Sequence, residues 1–172
     1  MSKKTAFYLS AVVLVLLFIV VACASGREEA QLPNPMRQSS PEEIMDILGL
    51  KLETPDGATA VEYYIIELED ASDIAQVDFS LDGIPFIYRA ASSAKFTDIS
   101  GMNYDWTEEI ETDVSYCAGK TFMADANGTK VGVILWYDAA PGIQYSLSTD
   151  SDADYTLLWF LAEQLYEPHE DI

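Results

Sequence analysis

QVDFSLDGIPFIYR, residues 76–89, consists of two alternating segments joined by the dipeptide Asp82-Gly83. On both sides of that dipeptide every second residue is apolar, beginning at Val77 and ending at Tyr88. A period of two is typical of strands with one buried face, and Asp-Gly is a strong signal for a tight hairpin turn. The stretch therefore predicts an antiparallel hairpin around which the rest of the fold is built.

Segments on either side of this hairpin show the same strand character. Asn127-Gly128 and Pro141-Gly142 mark two further turns between apolar, alternating runs. Residues 61–68 are rich in Tyr and Ile and predict a well-buried strand. The remaining expected strands cover residues 50–52, 107–118, 120–124, 131–135 and 143–147.

A helix is expected at each end of this strand-rich region. Ser40 and Glu43 are placed as in a capping box, with Pro41 at the first helical position and Gly49 after the last turn. The second helix contains leucines at helical spacing between residues 157 and 165, and its expected cap is Asp150, Ser151 or Asp152. We therefore predict an α+β fold, with an antiparallel sheet of seven or eight strands and a short N-terminal helix and a C-terminal helix packed on one face.

The amino-terminal segment has the layout of an export signal. Lys3 and Lys4 precede a 17-residue uncharged stretch, residues 6–22. The stretch ends in Val20-Val21-Ala22-Cys23 and so resembles the lipobox of bacterial lipoproteins. That resemblance implies lipidation of Cys23 and cleavage before it. An uncleaved membrane helix is the alternative, because about 17 apolar residues are at the lower limit for spanning a bilayer.

These features predict four parts in the chain. Residues 1–22 are expected to be the lipoprotein signal peptide, and residues 23–40 the lipidated cysteine and a flexible tether. Residues 41–168 are expected to form one globular domain, and residues 169–172 a tail. The lipid on Cys23 would hold the domain on the extracytoplasmic face of a cell membrane, in a bacterium we expect to be Gram-positive.

Charge and composition narrow the possible functions. Without residues 1–22 the chain keeps all 29 acidic residues and seven of its nine Lys and Arg, a formal charge of −22. Nucleic-acid binding needs a basic surface, so no nucleic-acid partner is expected.

A single histidine, His169, excludes a multi-histidine zinc site. We expect no cofactor and no metal site. Cys117 is left without a disulfide partner once Cys23 is lipidated, and we expect it to be a small buried residue of a strand.

A long loop, residues 96–106, is the candidate binding site. Tyr104 and Trp106 are placed to stack on a sugar or peptide, and Asp98 or Asp105 to fix polar groups. The alternative is that the aromatic side chains fold back onto the end of the core.

Two acidic runs need separate interpretations. Asp150, Asp152 and Asp154 alternate as at the start of a calcium loop, but the pattern then fails. We expect a helix start there, with weak calcium binding left open. Glu109 and its neighbours on the strand 107–118 are expected to form a solvated face and not a catalytic pair.

The C-terminal third resembles an uncharacterised domain of Gram-positive bacteria. The pattern is Trp136 followed by Gly142, Tyr145 and Leu147, then an amphipathic helix. Such domains occur outside the membrane in lipoproteins and in anti-sigma-type membrane proteins. The resemblance implies a fold and a location but no catalytic residues.

Three functions remain open. The first is a binding or sensing module that contacts a protein, a cell-wall component or a small ligand near the membrane. The second is a carboxylate-based cell-surface hydrolase, which requires a cleft with facing carboxylates. The third is a structural component of a surface complex. We expect the first, and therefore no enzymatic activity.

Overall fold

The computed structural model describes residues 35–167, and in this part of the chain eight strands form one antiparallel sheet with two helices. The strand order is β1-β2-β3-β4-β8-β7-β6-β5, and the α+β prediction is confirmed. The elements are β1 (Met36–Ser39), α1 (Pro41–Leu48), β2 (Thr59–Ile66), β3 (Ile74–Leu81), β4 (Ile84–Ser92), β5 (Glu108–Val114), β6 (Cys117–Ala126), β7 (Thr129–Asp138), β8 (Ile143–Thr149) and α2 (Tyr155–Leu165).

Both helices cover the same face of the sheet, which we call the inner face. Ile44 of α1 and Leu158 and Leu161 of α2 are buried in one apolar cluster with strand side chains. At the centre of that cluster the rings of Tyr88 and Tyr145 stack on Trp136, with centroids 6.0 and 5.1 Å away. Large aromatic side chains bury the most apolar area per residue, so this stack anchors the inner core.

The cap of α1 is the predicted one, whereas α2 is capped by Asp154, two to four residues after the expected candidates at 150–152. The hydroxyl of Ser40 accepts a hydrogen bond from the amide of Glu43 at 3.2 Å, and Gly49 ends α1 in the left-handed conformation. The carboxylate of Asp154 accepts from the amide of Leu157 at 3.0 Å and caps α2. These side chains satisfy amides that the first turn of a helix leaves free.

The other face of the sheet, the outer face, is covered by a loop and buries the apolar Val133 and Leu135 beside several polar side chains. Gln76, Gln144, Ser146 and Ser148 alternate with the core residues of their strands but are nevertheless buried. The connection 93–107 leaves β4 and must pass β8, β7 and β6 to reach the edge strand β5. The amide of Thr97 donates to Oε1 of Gln144 at 3.0 Å, which fixes this loop on the outer face.

Three strand predictions were wrong in detail. Residues 50–52 form no strand, although Leu50 and Leu52 are buried in the core. The strand expected at 107–118 ends at Val114, because the chain turns at residues 115–116 and continues as β6 from Cys117. Neither Ser115 nor Tyr116 is a strong turn signal in the sequence. β2 is largely exposed and not well buried, since only the four-residue β1 lies beyond it.

The tether prediction was wrong for its last residues. Met36–Ser39 form β1 and pair with Tyr63–Ile66 of β2. Arg37 gives this short strand a further attachment, because it forms ion pairs with Glu43 and Glu67 at 2.8 and 2.9 Å. The expected signal peptide, Cys23 and the tail 169–172 lie outside the described residues.

Trp136 and Trp159 differ in burial and therefore allow a matched stability test. Trp136 is fully buried, whereas Trp159 on α2 is 39% exposed. We expect Trp136→Ala to lower the free energy of unfolding by about 3–5 kcal/mol, because it leaves a large cavity between Tyr88 and Tyr145. Trp159→Ala should cost about 1–2 kcal/mol, because it removes a partly covered ring and its hydrogen bond to the carbonyl of Asp113. Urea denaturation followed by circular dichroism measures both, and equal losses would contradict the described core.

Candidate functional site

A cavity of about 690 Å³ opens between the outer face of the sheet and the loop 93–107. We call this cavity the outer groove. Its sheet side includes Asp78 of β3, Ile87 and Arg89 of β4 and Ser148 of β8, and its loop side is the segment 100–104. Asp150, just after β8, lies at the groove as well. Charged, aromatic and apolar side chains therefore surround a space that is large enough for a small polar ligand.

Arg89 is fixed in the wall of the outer groove by three acceptors. Its Nη1 donates to the carbonyl oxygens of Ile99 and Ser100 at 3.0 and 2.5 Å. Its Nε donates to Oε1 of Gln76 at 2.7 Å. A guanidinium held through a planar fork in this way has little rotamer freedom left, so its charge is fixed in position.

Gln76 connects Arg89 with a carboxylate. Gln76 is 2% exposed, and its Nε2 donates to Oδ1 of Asp78 at 2.7 Å while its Oε1 accepts from Arg89. In the register of β3 and β4, Gln76 faces Arg89 directly and Asp78 faces Ile87. Asp78 and Arg89 are therefore diagonal neighbours on the outer face, each held by the same buried amide.

The two charges do not neutralise each other directly. Within residues 35–167 no ion pair of 4.0 Å or less joins Asp78 with Arg89. No hydrogen bond from these residues reaches Oδ2 of Asp78 or Nη2 of Arg89. Each group thus keeps one atom that can bind a ligand, while its other atoms hold it in place.

Burial acts on both groups in the direction expected for desolvated charges. It raises the pKa of the Asp78 carboxyl above its ordinary value, against the lowering effect of the hydrogen bond from Gln76. It lowers the pKa of Arg89, against the opposing effects of Asp78 and Asp98. Charges that are desolvated but incompletely paired are common at functional sites.

Two backbone irregularities shape the groove. The register of β2 on β3 shifts between Thr59 and Glu62, and Ala60 in this bulge has a φ of 51° and lies at the groove. Bulges commonly re-aim side chains next to binding sites. Gly101 has a φ of 69°, and a Cβ there would lie 2.7 Å from Nη1 of Arg89. The loop can approach the guanidinium so closely because residue 101 has no side chain.

The structure separates the four loop residues that the sequence analysis selected. Tyr104 lies at the outer groove. Trp106 packs on Phe122 of β6, with ring centroids 5.9 Å apart, and Tyr104 meets it edge to face at 5.6 Å. Both aromatic side chains therefore lie on the outer face and neither belongs to the inner core cluster. The predicted alternative, in which the aromatic side chains fold back, describes Trp106 in part, because its ring packs on the sheet through Phe122.

The two aspartates of that loop have different positions. Asp98 accepts from the amide of Ser100 at 2.8 Å and so shapes the turn beside Arg89. Asp105 is exposed and does not line the outer groove. Tyr104 is thus the one residue of the four that contributes directly to the groove, with Asp98 supporting the loop.

The other acidic groups have structural positions. Glu109 and Glu111 are exposed on β5 and form ion pairs with Lys120 of β6, as a solvated face would. Of the three alternating aspartates, Asp154 caps α2, and Asp150 lies at the outer groove. In the described part of the chain, no three His, Cys, Asp or Glu side chains gather as metal ligands.

Cys117 is buried on β6, as expected, and belongs to the inner core. Burial raises the pKa of its thiol, so the reactive thiolate is disfavoured. Close by, the hydroxyl of Tyr166 donates to Oδ2 of the buried Asp138 at 2.6 Å. This arrangement describes a hydrogen-bonded end of the core and not a nucleophile.

Sequence reasoning missed the two charged residues of the outer groove. Asp78 and Arg89 were seen only as the polar members of an alternating hairpin. The available signal was Arg89, the one basic residue within the stretch 76–89. Its carbonyl partners belong to a loop ten residues later, which no local pattern indicates.

Comparison of the chain with protein-family models, with curated proteins and with solved structures gives no match. The resemblance of the C-terminal third to an extracytoplasmic domain therefore stays a prediction. Neither helix in residues 35–167 has the length and apolar character needed to cross a membrane.

The burial of Asp78 predicts a pH-dependent effect of one substitution. Because the pKa of Asp78 is raised in the folded state, its protonated form stabilises the fold, and this contribution is complete below the ordinary Asp pKa of about 3.9. It is lost as pH rises through the raised pKa, and above that pKa the ionised carboxylate opposes folding. We expect Asp78→Asn, whose amide oxygen can still accept from Gln76, to be more stable than the wild type at pH 7 and to lose this advantage at acidic pH.

The control for this experiment is Asp105→Asn, which removes the same charge from an exposed position of the loop. Thermal unfolding of both variants between acidic and neutral pH gives the comparison. A lower stability of Asp78→Asn than of the wild type at pH 7 would contradict this expectation. The ionised carboxylate of Asp78 would then stabilise the fold.

Proposed function

We propose that this chain is a membrane-anchored extracytoplasmic lipoprotein whose folded part is a binding or sensing module, with the outer groove as its ligand site. Anchoring rests on the sequence alone, through the lipobox-like Val20–Cys23 after an apolar stretch. The ligand site rests on one observation above all. Asp78 and Arg89 are fixed by Gln76, yet each retains an atom that is free to bind.

Preorganisation is the physical reason why this arrangement favours ligand binding. A ligand that meets charges already held in position does not have to offset the entropy of ordering them. The groove also sits on paired strands, which hold side chains more rigidly than loops do. The loop side supplies Met102 and Tyr104 as contacts for apolar parts of the ligand.

One observation favours a second function, a carboxylate-based hydrolase. Asp78 and Asp150 lie at the same groove, and burial raises the pKa of Asp78, as a general acid requires. We prefer binding without turnover, because Gln76 already donates a hydrogen bond to one oxygen of Asp78. Product analysis after prolonged incubation with a bound ligand separates the two functions.

Ligand binding is tested with a panel of compounds that differ in chemical class. The full chain is mixed separately with free amino acids, dipeptides, hexoses and N-acetylhexosamines, and its thermal unfolding midpoint is measured. We expect at least one class to raise the midpoint of the wild type, because a ligand that binds only the folded state stabilises it. The same class should have a much smaller effect on Asp78→Asn and an unchanged effect on Asp105→Asn.

Two results would contradict the proposed site. One is that no class raises the midpoint of the wild type. The other is that Asp78→Asn responds as strongly as the wild type, which would place the ligand elsewhere. Lipidation is tested separately by mass spectrometry of the chain from its native membrane, where Cys23→Ser should lose the lipid.

A further inference from the structure

We infer that the outer groove binds an α-amino head group, meaning an ammonium with a carboxylate or carbonyl oxygen on the adjacent carbon, as in a free amino acid or the first residue of a peptide. The inference rests on the proposed function and names its ligand. The ammonium would bind Oδ2 of Asp78, and the adjacent oxygen would bind Nη2 of Arg89.

The spacing of the two protein groups favours a compact ligand. Asp78 and Arg89 are diagonal neighbours on adjacent antiparallel strands, a relation that separates Cα atoms by about 7–8 Å. Their charged ends are more than 4.0 Å apart, so they are too distant to pair directly. A ligand whose donor and acceptor are one carbon apart can bridge such a gap with two hydrogen bonds of ordinary length. A long ω-amino acid has its charges too far apart for both.

The surrounding charges favour the ammonium over a simple anion. Asp98 acts on Arg89 together with Asp78, and Asp150 lies at the same groove. In the described part of the chain, three acidic side chains, Asp78, Asp98 and Asp150, therefore lie near the one basic side chain of the groove, Arg89. An anion without its own positive group would meet this negative field, whereas a zwitterion or a peptide amino terminus brings a compensating charge.

The rest of the groove suits an apolar side chain on the ligand. Ile87 lies on the sheet side, and Met102 and Tyr104 lie on the loop side. A volume of about 690 Å³ exceeds that of one amino acid and leaves room for a second residue. Leucine and leucyl-leucine are therefore suitable probes. Leucine represents a free amino acid, and leucyl-leucine represents the amino terminus of a peptide.

The test compares these probes with analogues that lack one half of the head group. Isothermal titration calorimetry of the full chain is performed with leucine, leucyl-leucine and N-acetyl-leucyl-leucine. Isocaproate is leucine without its amine, and isoamylamine is leucine without its carboxylate. We expect leucine or leucyl-leucine to bind at least about tenfold more tightly than each analogue, since each lost charge-assisted hydrogen bond leaves a partly buried charge without its partner.

The Asp78→Asn variant tests whether the ammonium of the ligand binds Asp78. It should weaken leucine and leucyl-leucine by about tenfold or more and have little effect on isocaproate, which carries no amine. Asp105→Asn, the matched charge change outside the groove, should leave all affinities unchanged. If leucine alone binds, the source is a free amino acid; if leucyl-leucine binds as well or better, it is a peptide amino terminus.

Several results would overturn the inference. These are equal affinities for leucyl-leucine and its N-acetyl form, equal affinities of wild type and Asp78→Asn for leucine, or no binding of either amino probe. If a hexose or N-acetylhexosamine then binds in an Asp78-dependent way, the proposed function stands and only the ligand class is wrong. If no compound of either panel binds, both fail.

Discussion

The guanidinium of Arg89 is the contact on which the outer half of this structure depends. The connection 93–107 crosses three strands without regular secondary structure, so its backbone groups need partners from elsewhere. Arg89 supplies hydrogen bonds to the carbonyls of Ile99 and Ser100, and Gln144 supplies one to the amide of Thr97. Tyr137 adds a hydrogen bond from its hydroxyl to the carbonyl of Ser93, and Trp106 packs on Phe122, so the sheet holds the loop at several points.

The two faces of the sheet differ in the side chains that they bury. The inner face is held by the Tyr88, Trp136 and Tyr145 stack and by the buried sides of both helices. The outer face has buried polar groups, including the hydroxyl of Ser146, which finds no hydrogen bond in the described chain. Polar burial of this kind lowers stability, and the inner core offsets its cost. The groove is therefore a polar site on a rigid apolar support.

The sequence was sufficient for the elements with local signals. The hairpin of residues 76–89 and the cap at Ser40 both depend on neighbours within a few positions. The short strand Met36–Ser39 was missed because its pairing with β2 is its main support. Asp78 and Arg89 were missed for a similar reason. Their importance comes from the loop that lies over them, and alternation only shows that they share a face.

The central claim is that Arg89 holds the loop 93–107 on the outer face and so creates the groove. Hydrogen–deuterium exchange of Arg89→Lys tests it most directly, because lysine keeps the charge but cannot bond two carbonyls and Gln76 through a fixed fork. We predict faster exchange at the amides of Thr97 and Ser100, with unchanged protection at β7 and α2. Unchanged exchange in the loop, or an equal loss of protection throughout the chain, would contradict the claim.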